Sequence, residues 1–315
     1  MVSESLNPQP ARRTVTVRVP AKVNLLLRVG PPGADGYHEL VNVFQALSLF
    51  DTVTAADTGE DGIALTLEGA ETAGVPAGST NLAVRAAHAL AERAGVPARA
   101  ALHVHKEIPV AGGMAGGSAD AAAALLACDA LWGTNLGRDE LLALAGDLGA
   151  DVAFPLVGGT AVGVGRGERL TPLPTSGKFH WVIAVAEGGL STGAVYAACD
   201  RLRTDSGRPA GQPEMSEPLA AALRAGDPDA LGAALGNDLQ DAALSLCPEL
   251  ERTLAAGRQL GAVGALVSGS GPTCAFLAGS AGHAGELAAG LPAIGTCRAV
   301  HTVHGPAPAA HVVDA

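Results

Sequence analysis

Ile108-Pro-Val-Ala-Gly-Gly-Met-Ala-Gly-Gly-Ser-Ala-Asp-Ala-Ala122 is a glycine-rich stretch between a predicted strand, Arg99–Lys106, and an alanine-rich predicted helix ending near Gly133. Glycines let a backbone approach a ligand closely, and a helix N-terminus attracts anions. The stretch therefore predicts a phosphate-binding loop. It has neither the Gly-Lys-Ser/Thr of a Walker A loop nor the G-x-G-x-x-G spacing of a dinucleotide fingerprint. The alternative is an ordinary turn, since the chain holds 42 glycines.

Three other segments carry polar residues that could act with this loop. Pro20-Ala-Lys-Val-Asn-Leu25 is followed by Ala34-Asp-Gly-Tyr-His-Glu-Leu40, and a lysine on an apolar strand must find an anion or extend into water. Gly149-Ala-Asp-Val-Ala153 places one acid after a helix, as either a hydrogen-bonding group or a buried base. Val267-Ser-Gly-Ser-Gly-Pro-Thr273 is a second glycine turn, which fits a tight hairpin or a binding loop. Taken singly, the lysine and the turn aromatic also fit ordinary surface positions.

Composition and charge narrow the class of protein. The 315 residues suffice for one large or two ordinary domains, and a charged fraction of 16% with frequent apolar runs excludes disorder. A net charge of −11 disfavours nucleic acid as a partner. Five cysteines without a C-x-x-C pair, behind a polar N-terminus without a signal peptide, predict a cytoplasmic protein. The uncharged stretch Leu260–Ala281 is interrupted by a Ser-Gly-Ser-Gly-Pro turn, so we expect no membrane association.

The order of predicted elements favours an α+β class. Strands cluster early and then mix irregularly with helices, unlike a doubly wound parallel sheet. We expect Pro20 to divide the first strand in two, 41–47 and 52–55 to be separate strands, and Asn81 to cap a helix ending at Gly95. A Pro/Gly-containing stretch at 171–177 suggests a domain boundary. We predict a loose tail at 1–12, an N-terminal domain at 13–175, a C-terminal domain at 176–304 and a loose tail at 305–315.

The four motif segments, in this order and at these separations, resemble the GHMP kinases from about Val15 to Val303. Asp35-Gly-Tyr-His38 is similar to the members that act on a cytidine-diphosphate-linked methylerythritol. The resemblance implies a two-domain GHMP kinase fold, with a ribosomal-S5-like N-terminal domain and a ferredoxin-like C-terminal domain. It further implies transfer of a phosphoryl group from ATP to the 2-hydroxyl of 4-(cytidine 5′-diphospho)-2-C-methyl-D-erythritol, in the methylerythritol phosphate route to isoprenoids. The partners expected are this small molecule and ATP with Mg²⁺.

The resemblance also implies residue roles. Asp151 would be the catalytic base, and Lys22 the basic residue beside it. Asn81 would approach the adenine. The substrate would contact Asn24, Tyr37, His38, Thr192 and Tyr196. The ATP phosphate loop would comprise Pro109, Val110, Ala111, Gly112, Gly113, Met114, Ala115, Gly116, Gly117, Ser118 and Ala119.

The sequence departs from the family pattern in two places, and two other functions stay open. Ala115 replaces a frequent glycine, and Ala119-Asp120 stands where Ser-Asn is also common; neither change removes a backbone donor. One alternative is a GHMP kinase acting on mevalonate, homoserine or a sugar, against which the Tyr37-His38 turn argues. Another is a nucleotide-binding protein without catalysis, against which the joint presence of Lys22 and Asp151 argues. The sequence identifies no protein ligand for Mg²⁺.

Overall fold

The computed structural model describes residues 13–110 and 112–315, so the predicted tail at 1–12 and Ala111 lie outside the described residues. The first half of the chain forms β1 (Thr14–Pro32), β2 (His38–Ala56), β3 (Gly62–Gly69), α1 (Leu82–Ala94), β4 (Arg99–Lys106), α2 (Gly116–Trp132), α3 (Arg138–Leu148), α4 (Ala153–Val157), β5 (Thr160–Gly165) and β6 (Arg169–Pro172). The second half forms β7 (Phe179–Val185), α5 (Thr192–Ser206), α6 (Glu217–Ala225), α7 (Pro228–Ala234), β8 (Gly236–Asn237), α8 (Gln240–Leu246), α9 (Glu249–Gln259), β9 (Gly264–Val267), β10 (Cys274–Ala278), α10 (Ala281–Gly290), a 3₁₀ turn (Leu291–Ile294), β11 (Ala299–Gly305) and β12 (His311–Asp314).

The larger sheet is built on the antiparallel pair β1–β2, in the order β12-β1-β2-β4-β3, with β5 beside β2 and β8 parallel to β1. The expected break at Pro20 is wrong, because β1 continues through it with a register shift between Pro20 and Ala21. A bulge is one of the places where a strand tolerates a residue without an N–H. The two short strands predicted at 41–47 and 52–55 are likewise one strand, β2.

Helices α1 and α2 cover this sheet on one side. Asn81 caps α1 by accepting a hydrogen bond from the N–H of Ala83 at 2.8 Å, and α1 ends at Gly95 with φ +67°, as predicted. Alanine side chains line much of α2 and are buried, which lets its backbone approach the sheet closely. None of the described helices, over 13–110 and 112–315, combines the length and apolar character needed to cross a bilayer.

The smaller sheet has the order β11-β7-β10-β9 and carries α5, α8, α9 and α10 on one side. Its strands pair antiparallel throughout, and a buried cluster that includes Val182, Phe276 and Leu254 fills the layer between sheet and helices. The two sheets, both packed against helices, confirm the α+β prediction.

The prediction of a loose C-terminal tail at 305–315 is wrong. Strand β12 pairs antiparallel with β1 at Thr16–Arg18 and forms one edge of the larger sheet. Upstream of it, the N–H of Ala307 donates to the oxygen of Ala46, and the N–H of Ala310 donates to that of Pro155. Main-chain hydrogen bonds fix this segment. The side chains of a short stretch of small residues do not predict such bonds, because almost every residue carries the same backbone groups.

Candidate active site

The four motif segments meet in one cleft of about 500 Å³ between the two sheets. At its centre, the glycine-rich stretch before α2 contacts the second glycine turn, at 267–273 (together, the two glycine turns). Gly113 has φ +72°, and a Cβ there would come within 2.1 Å of the Ser268 oxygen, so only glycine fits. Across the same contact, a Cβ on Gly269 would lie 3.5 Å from the Nζ of Lys22. The second glycine turn is therefore part of the site rather than a remote hairpin.

The N-terminus of α2 opens into this cleft. Gly116, Gly117 and Ser118 form its first turn and line the cleft, and their N–H groups have no acceptor within the helix. Ala115 supplies no side-chain oxygen as a cap and lies in the left-handed region at φ +60°. The helix thus begins with free backbone donors and partial positive charge, which suits an anion such as phosphate.

The residues predicted to hold ATP occupy different positions around this opening. Pro109, Gly112, Gly113, Ala115, Gly116, Gly117 and Ser118 line the cleft. Met114 and Ala119 are buried behind it, and the N–H of Val110 donates to Glu71 instead. Asn81 is buried, with its amide accepting from Ala83 and donating to the Pro76 oxygen, so its contact with adenine stays a prediction. Ala111 lies outside the described residues.

Lys22 lies at the floor of the cleft with only 4% of its surface exposed. Its ammonium donates 2.7 Å hydrogen bonds to the Oδ1 of Asn24 and to the Gly113 oxygen. The Asn24 amide is held in turn by Asn42, at 2.8 Å. Burial lowers the pKa of Lys22, while the negative charge of Asp151 raises it. The ammonium is therefore fixed by two oxygens and faces one carboxylate.

Asp151 is the carboxylate that Lys22 faces. Its Oδ2 lies 3.7 Å from the Lys22 Nζ, and its side chain is 38% exposed to the cleft. It follows α3 at a turn where the N–H of Val152 donates to the Gly149 oxygen. A carboxylate here can accept a proton from a bound molecule while the neighbouring ammonium holds its orientation.

A second, larger cavity of about 1120 Å³ continues from the cleft and shares Thr192, Tyr196 and Arg166 with it. Tyr37 and Tyr196 both line this cavity; Tyr37 is 56% exposed, whereas Tyr196 is half-buried. The Thr192 hydroxyl lies 3.1 Å from that of Ser270 in the second glycine turn. A wide, partly apolar cavity beside an anion site suits a molecule that joins an organic ring to phosphates.

His38 is buried, and both of its ring nitrogens have partners. Nδ1 lies 2.9 Å from the Gly30 oxygen, which can only accept, so Nδ1 carries a proton. Nε2 lies 3.3 Å from the Oδ2 of Asp200, at the wall of the larger cavity. The imidazole also packs on Tyr196, with 5.2 Å between ring centroids. His38 therefore holds the Tyr196 ring in place, and hydrogen bonding to a ligand stays a prediction.

Two family models match the chain on either side of this cleft. The GHMP kinases N terminal domain matches residues 81–159, which include the glycine loop and Asp151. The GHMP kinases C terminal domain matches residues 219–296, which include the second glycine turn. A 4-diphosphocytidyl-2-C-methyl-D-erythritol kinase of Thermobifida fusca is 60% identical, over 96% of this chain and 99% of its own length. The chain belongs to the GHMP kinase family.

Solved structures agree with this membership. The chain is similar to a crystal structure of 4-(cytidine 5′-diphospho)-2C-methyl-D-erythritol kinase, with a TM-score of 0.77 and 34% identity over 93% of this chain and 100% of that one. A homoserine kinase from Cytophaga hutchinsonii matches with a TM-score of 0.71 over 98% and 100% of the two chains. Its 18% identity shows the shared GHMP fold alone.

Two residues of this GHMP kinase site could not be identified from the sequence. The Asn237 amide donates to the oxygens of Val267 and Gly269 and so fixes the second glycine turn. The Arg166 guanidinium lies 3.8 Å from the centroid of the Tyr37 ring and pairs with Asp35 at 2.9 Å. Neither residue belongs to a motif with a recognised spacing, so only the tertiary structure identifies them.

A buried ionic cluster lies directly behind the glycine loop of this GHMP kinase. The Lys106 ammonium contacts Asp51 and donates to Asp120 at 2.7 Å, with all three side chains almost fully buried. Asp51 also accepts the N–H groups of Glu107 and Ile108, where the loop begins. Burial raises the pKa of Asp120 to about 8, partly offset by Lys106. The cluster ties the end of β4 to the first turns of α2.

Proposed function

We propose that this protein transfers the γ-phosphoryl group of ATP to the 2-hydroxyl of 4-(cytidine 5′-diphospho)-2-C-methyl-D-erythritol. The observation that carries the proposal is the position of the Lys22–Asp151 pair, 3.7 Å apart, where an anion-binding helix N-terminus meets a large aromatic-lined cavity. A donor with phosphates and an acceptor alcohol bound in these two spaces would meet at this pair. The names of the similar proteins support the same reaction.

In this mechanism Asp151 is the general base. The acceptor hydroxyl gives its proton to the Asp151 carboxylate while its oxygen bonds to the γ-phosphorus, and the bond from that phosphorus to the ADP oxygen breaks. The Lys22 ammonium, held by Asn24 and the Gly113 oxygen, orients Asp151 and offsets the charge on the transferring group. Positioning and charge stabilisation supply most of the catalysis in such transfers.

The glycine loop would hold the ATP phosphates through backbone N–H groups of the first turn of α2. Mg²⁺ usually binds through one or two carboxylates together with substrate phosphates. The Ser118 hydroxyl, in the first turn of α2, lines the cleft and would hold such an ion together with the phosphates, which leaves Asp151 as the proton acceptor. When bound, Mg²⁺ would neutralise phosphate charge.

The larger cavity would hold the cytidine end of the acceptor. Tyr37 and Tyr196 are the aromatic rings on its wall, and Asn24 and Thr192 lie toward the cleft. Cytosine carries an amino donor where uracil carries a carbonyl acceptor. His38, which lines the wall of this cavity beside Asp200, is the candidate for a hydrogen bond that distinguishes the two bases. The protein is then expected to discriminate against the uridine analogue.

The test is to incubate the protein with ATP, Mg²⁺ and the cytidylylated methylerythritol and to follow the products by phosphorus NMR. We expect a new phosphomonoester signal and an equal amount of ADP. Mevalonate, homoserine and a sugar, offered under the same conditions, separate the proposal from the other GHMP kinase activities. Turnover of one of these instead would overturn the substrate assignment, and ATP binding without transfer to any acceptor would leave a nucleotide-binding protein.

A further inference from the structure

An ion pair between the two sheets lies at the start of the phosphate loop. Arg298, just before β11 of the smaller sheet, donates two parallel 2.6 Å hydrogen bonds to the carboxylate of Glu71, just after β3 of the larger sheet. The Glu71 side chain is 8% exposed and that of Arg298 29%. Paired bonds between guanidinium and carboxylate fix orientation as well as charge, so the Glu71 carboxylate has a defined position.

Glu71 has a second partner in the phosphate loop itself. Its Oε2, which also accepts from Arg298, accepts the N–H of Val110 at 3.3 Å. The N–H of Glu71 points at the Lys106 oxygen at 3.4 Å, so its backbone runs beside the buried ionic cluster. One carboxylate thus joins the smaller sheet to the N-terminal end of the loop, while the cluster of Asp51, Lys106 and Asp120 holds the end of β4 and the helix.

We propose that Arg298 and Glu71 are positioning residues for the phosphate loop and that the smaller sheet, through this pair, sets the affinity for ATP. The inference rests on the proposed function, because it takes the bound anion to be the phosphates of ATP. Neither residue lines the cleft, so the pair acts through the loop backbone and not by touching the nucleotide. A carboxylate that holds Val110 keeps the N–H groups of the loop turned toward the cleft.

The competing explanation is that the pair only fastens the two sheets together. The two explanations differ in what changes in the folded protein. A fastening role alone would lower the melting temperature and leave ligand affinities in the folded state as they were. A positioning role weakens ATP binding selectively, while affinity for the cytidine substrate, bound on the other side of Lys22, stays within twofold.

The experiment measures ATP affinity by calorimetry, and KM for both substrates, in wild type, Arg298→Met, Glu71→Gln and the double variant. Met approximates the length of the arginine stem without its charge, and Gln keeps the shape of Glu71. We expect Arg298→Met to weaken ATP binding on the order of tenfold, a coupling typical of contacting charged residues. In the double variant the loss should not exceed that of Arg298→Met, because the uncompensated carboxylate is gone. Arg93→Met, which breaks the exposed Arg93–Glu140 pair, is the matched control and should leave both affinities unchanged.

Unchanged ATP affinity in folded Arg298→Met, or an equal loss for both substrates, would overturn the inference. If that variant fails to fold, Arg298→Lys decides, because it keeps the charge and loses the paired N–H geometry. It should weaken ATP binding by a smaller factor, and wild-type affinity in it would contradict the positioning role. Wild-type protein that binds ATP but phosphorylates no acceptor would refute the proposed function alone, since the affinity comparison does not require turnover.

Discussion

Replacing Asp151 with Asn tests the centre of the proposed mechanism. The variant keeps the shape of the side chain and removes the proton acceptor, a role typically worth 10²- to 10⁴-fold in rate. It also removes the carboxylate 3.7 Å from Lys22. Two unit charges at this separation interact by about 1 kcal/mol in bulk water and about 4 kcal/mol at an effective dielectric constant of 20. Because Asp151 is 38% exposed, we take the lower end, about 1 kcal/mol.

These magnitudes separate catalysis from stability. A loss of about 1 kcal/mol lowers the melting temperature by only about 2 to 4 °C, whereas a fall of 10²- to 10⁴-fold in kcat corresponds to about 3 to 5 kcal/mol. We therefore expect a folded Asp151→Asn protein with a greatly reduced kcat and a nearly unchanged affinity for ATP. Burial already lowers the pKa of Lys22, and Asp151 opposes that effect. Loss of the Asp151 carboxylate lowers the pKa of Lys22 further. As pH rises, the ammonium therefore loses its proton earlier, and the residual activity should begin to fall at a lower pH than in wild type.

The assay combines steady-state ADP release over a range of pH with calorimetric ATP binding and a thermal melt. Asp139→Asn, an exposed carboxylate in the first turn of α3, controls for the loss of one negative charge and should keep wild-type kcat. An Asp151→Asn protein that retains turnover within a few-fold of wild type would refute the assignment of the base. If the affinity for ATP fell by the same factor as kcat, the substitution would have damaged the loop that is proposed to bind ATP.

Three further changes have defined outcomes. Tyr37→Ala or Tyr196→Ala should raise KM for the cytidine substrate by roughly 5- to 150-fold, with KM for ATP nearly unchanged, because base stacking is worth about 1 to 3 kcal/mol. Burial raises the pKa of Asp120 to about 8, so the contribution of this carboxyl group to stability falls as pH rises from about 4 to about 8; the melting temperature of Asp120→Asn should therefore depend less on pH over this interval than that of the wild type. Deleting 306–315 should lower the melting temperature by several degrees, since β12 and the bonds from Ala307 and Ala310 are lost; an unchanged melting temperature would contradict the packing of this segment.

The motifs that could be predicted from the sequence are those whose residues act on the backbone of their own turn or loop. The glycine loop before α2 could be predicted because the glycine at Gly113 and the free start of the helix lie within a few residues of each other in the sequence. The capped helix α1 follows from Asn81 and Gly95, which act within their own turns. The contact between the two glycine turns could not be predicted from the residues, since 155 positions separate Gly113 from Ser268 in the hydrogen bond between them.

The errors share a physical cause. Pro20 interrupts a strand only when its missing N–H is needed, and a register shift at that position removes the need. The segment 305–315 is predicted to be loose because it matches no family motif and consists largely of small residues and two prolines, yet its backbone N–H groups find acceptors on Ala46 and Pro155. In both places main-chain hydrogen bonding, which side-chain identity does not encode, decides the outcome.

Lys22 connects the proposed base, Asp151, to the glycine loop. Lys22 comes from β1, its acceptor Gly113 from the loop before α2, and its partner Asp151 from the turn after α3. A displacement of the loop therefore moves the oxygen that orients the ammonium, and with it the charge that faces the base. The same loop begins at Val110, whose N–H is held by Glu71 and hence by Arg298. In the proposed mechanism, a change at the smaller sheet would thus reach both ATP and the proton acceptor through one short stretch of backbone, without Glu71 or Arg298 contacting the substrate.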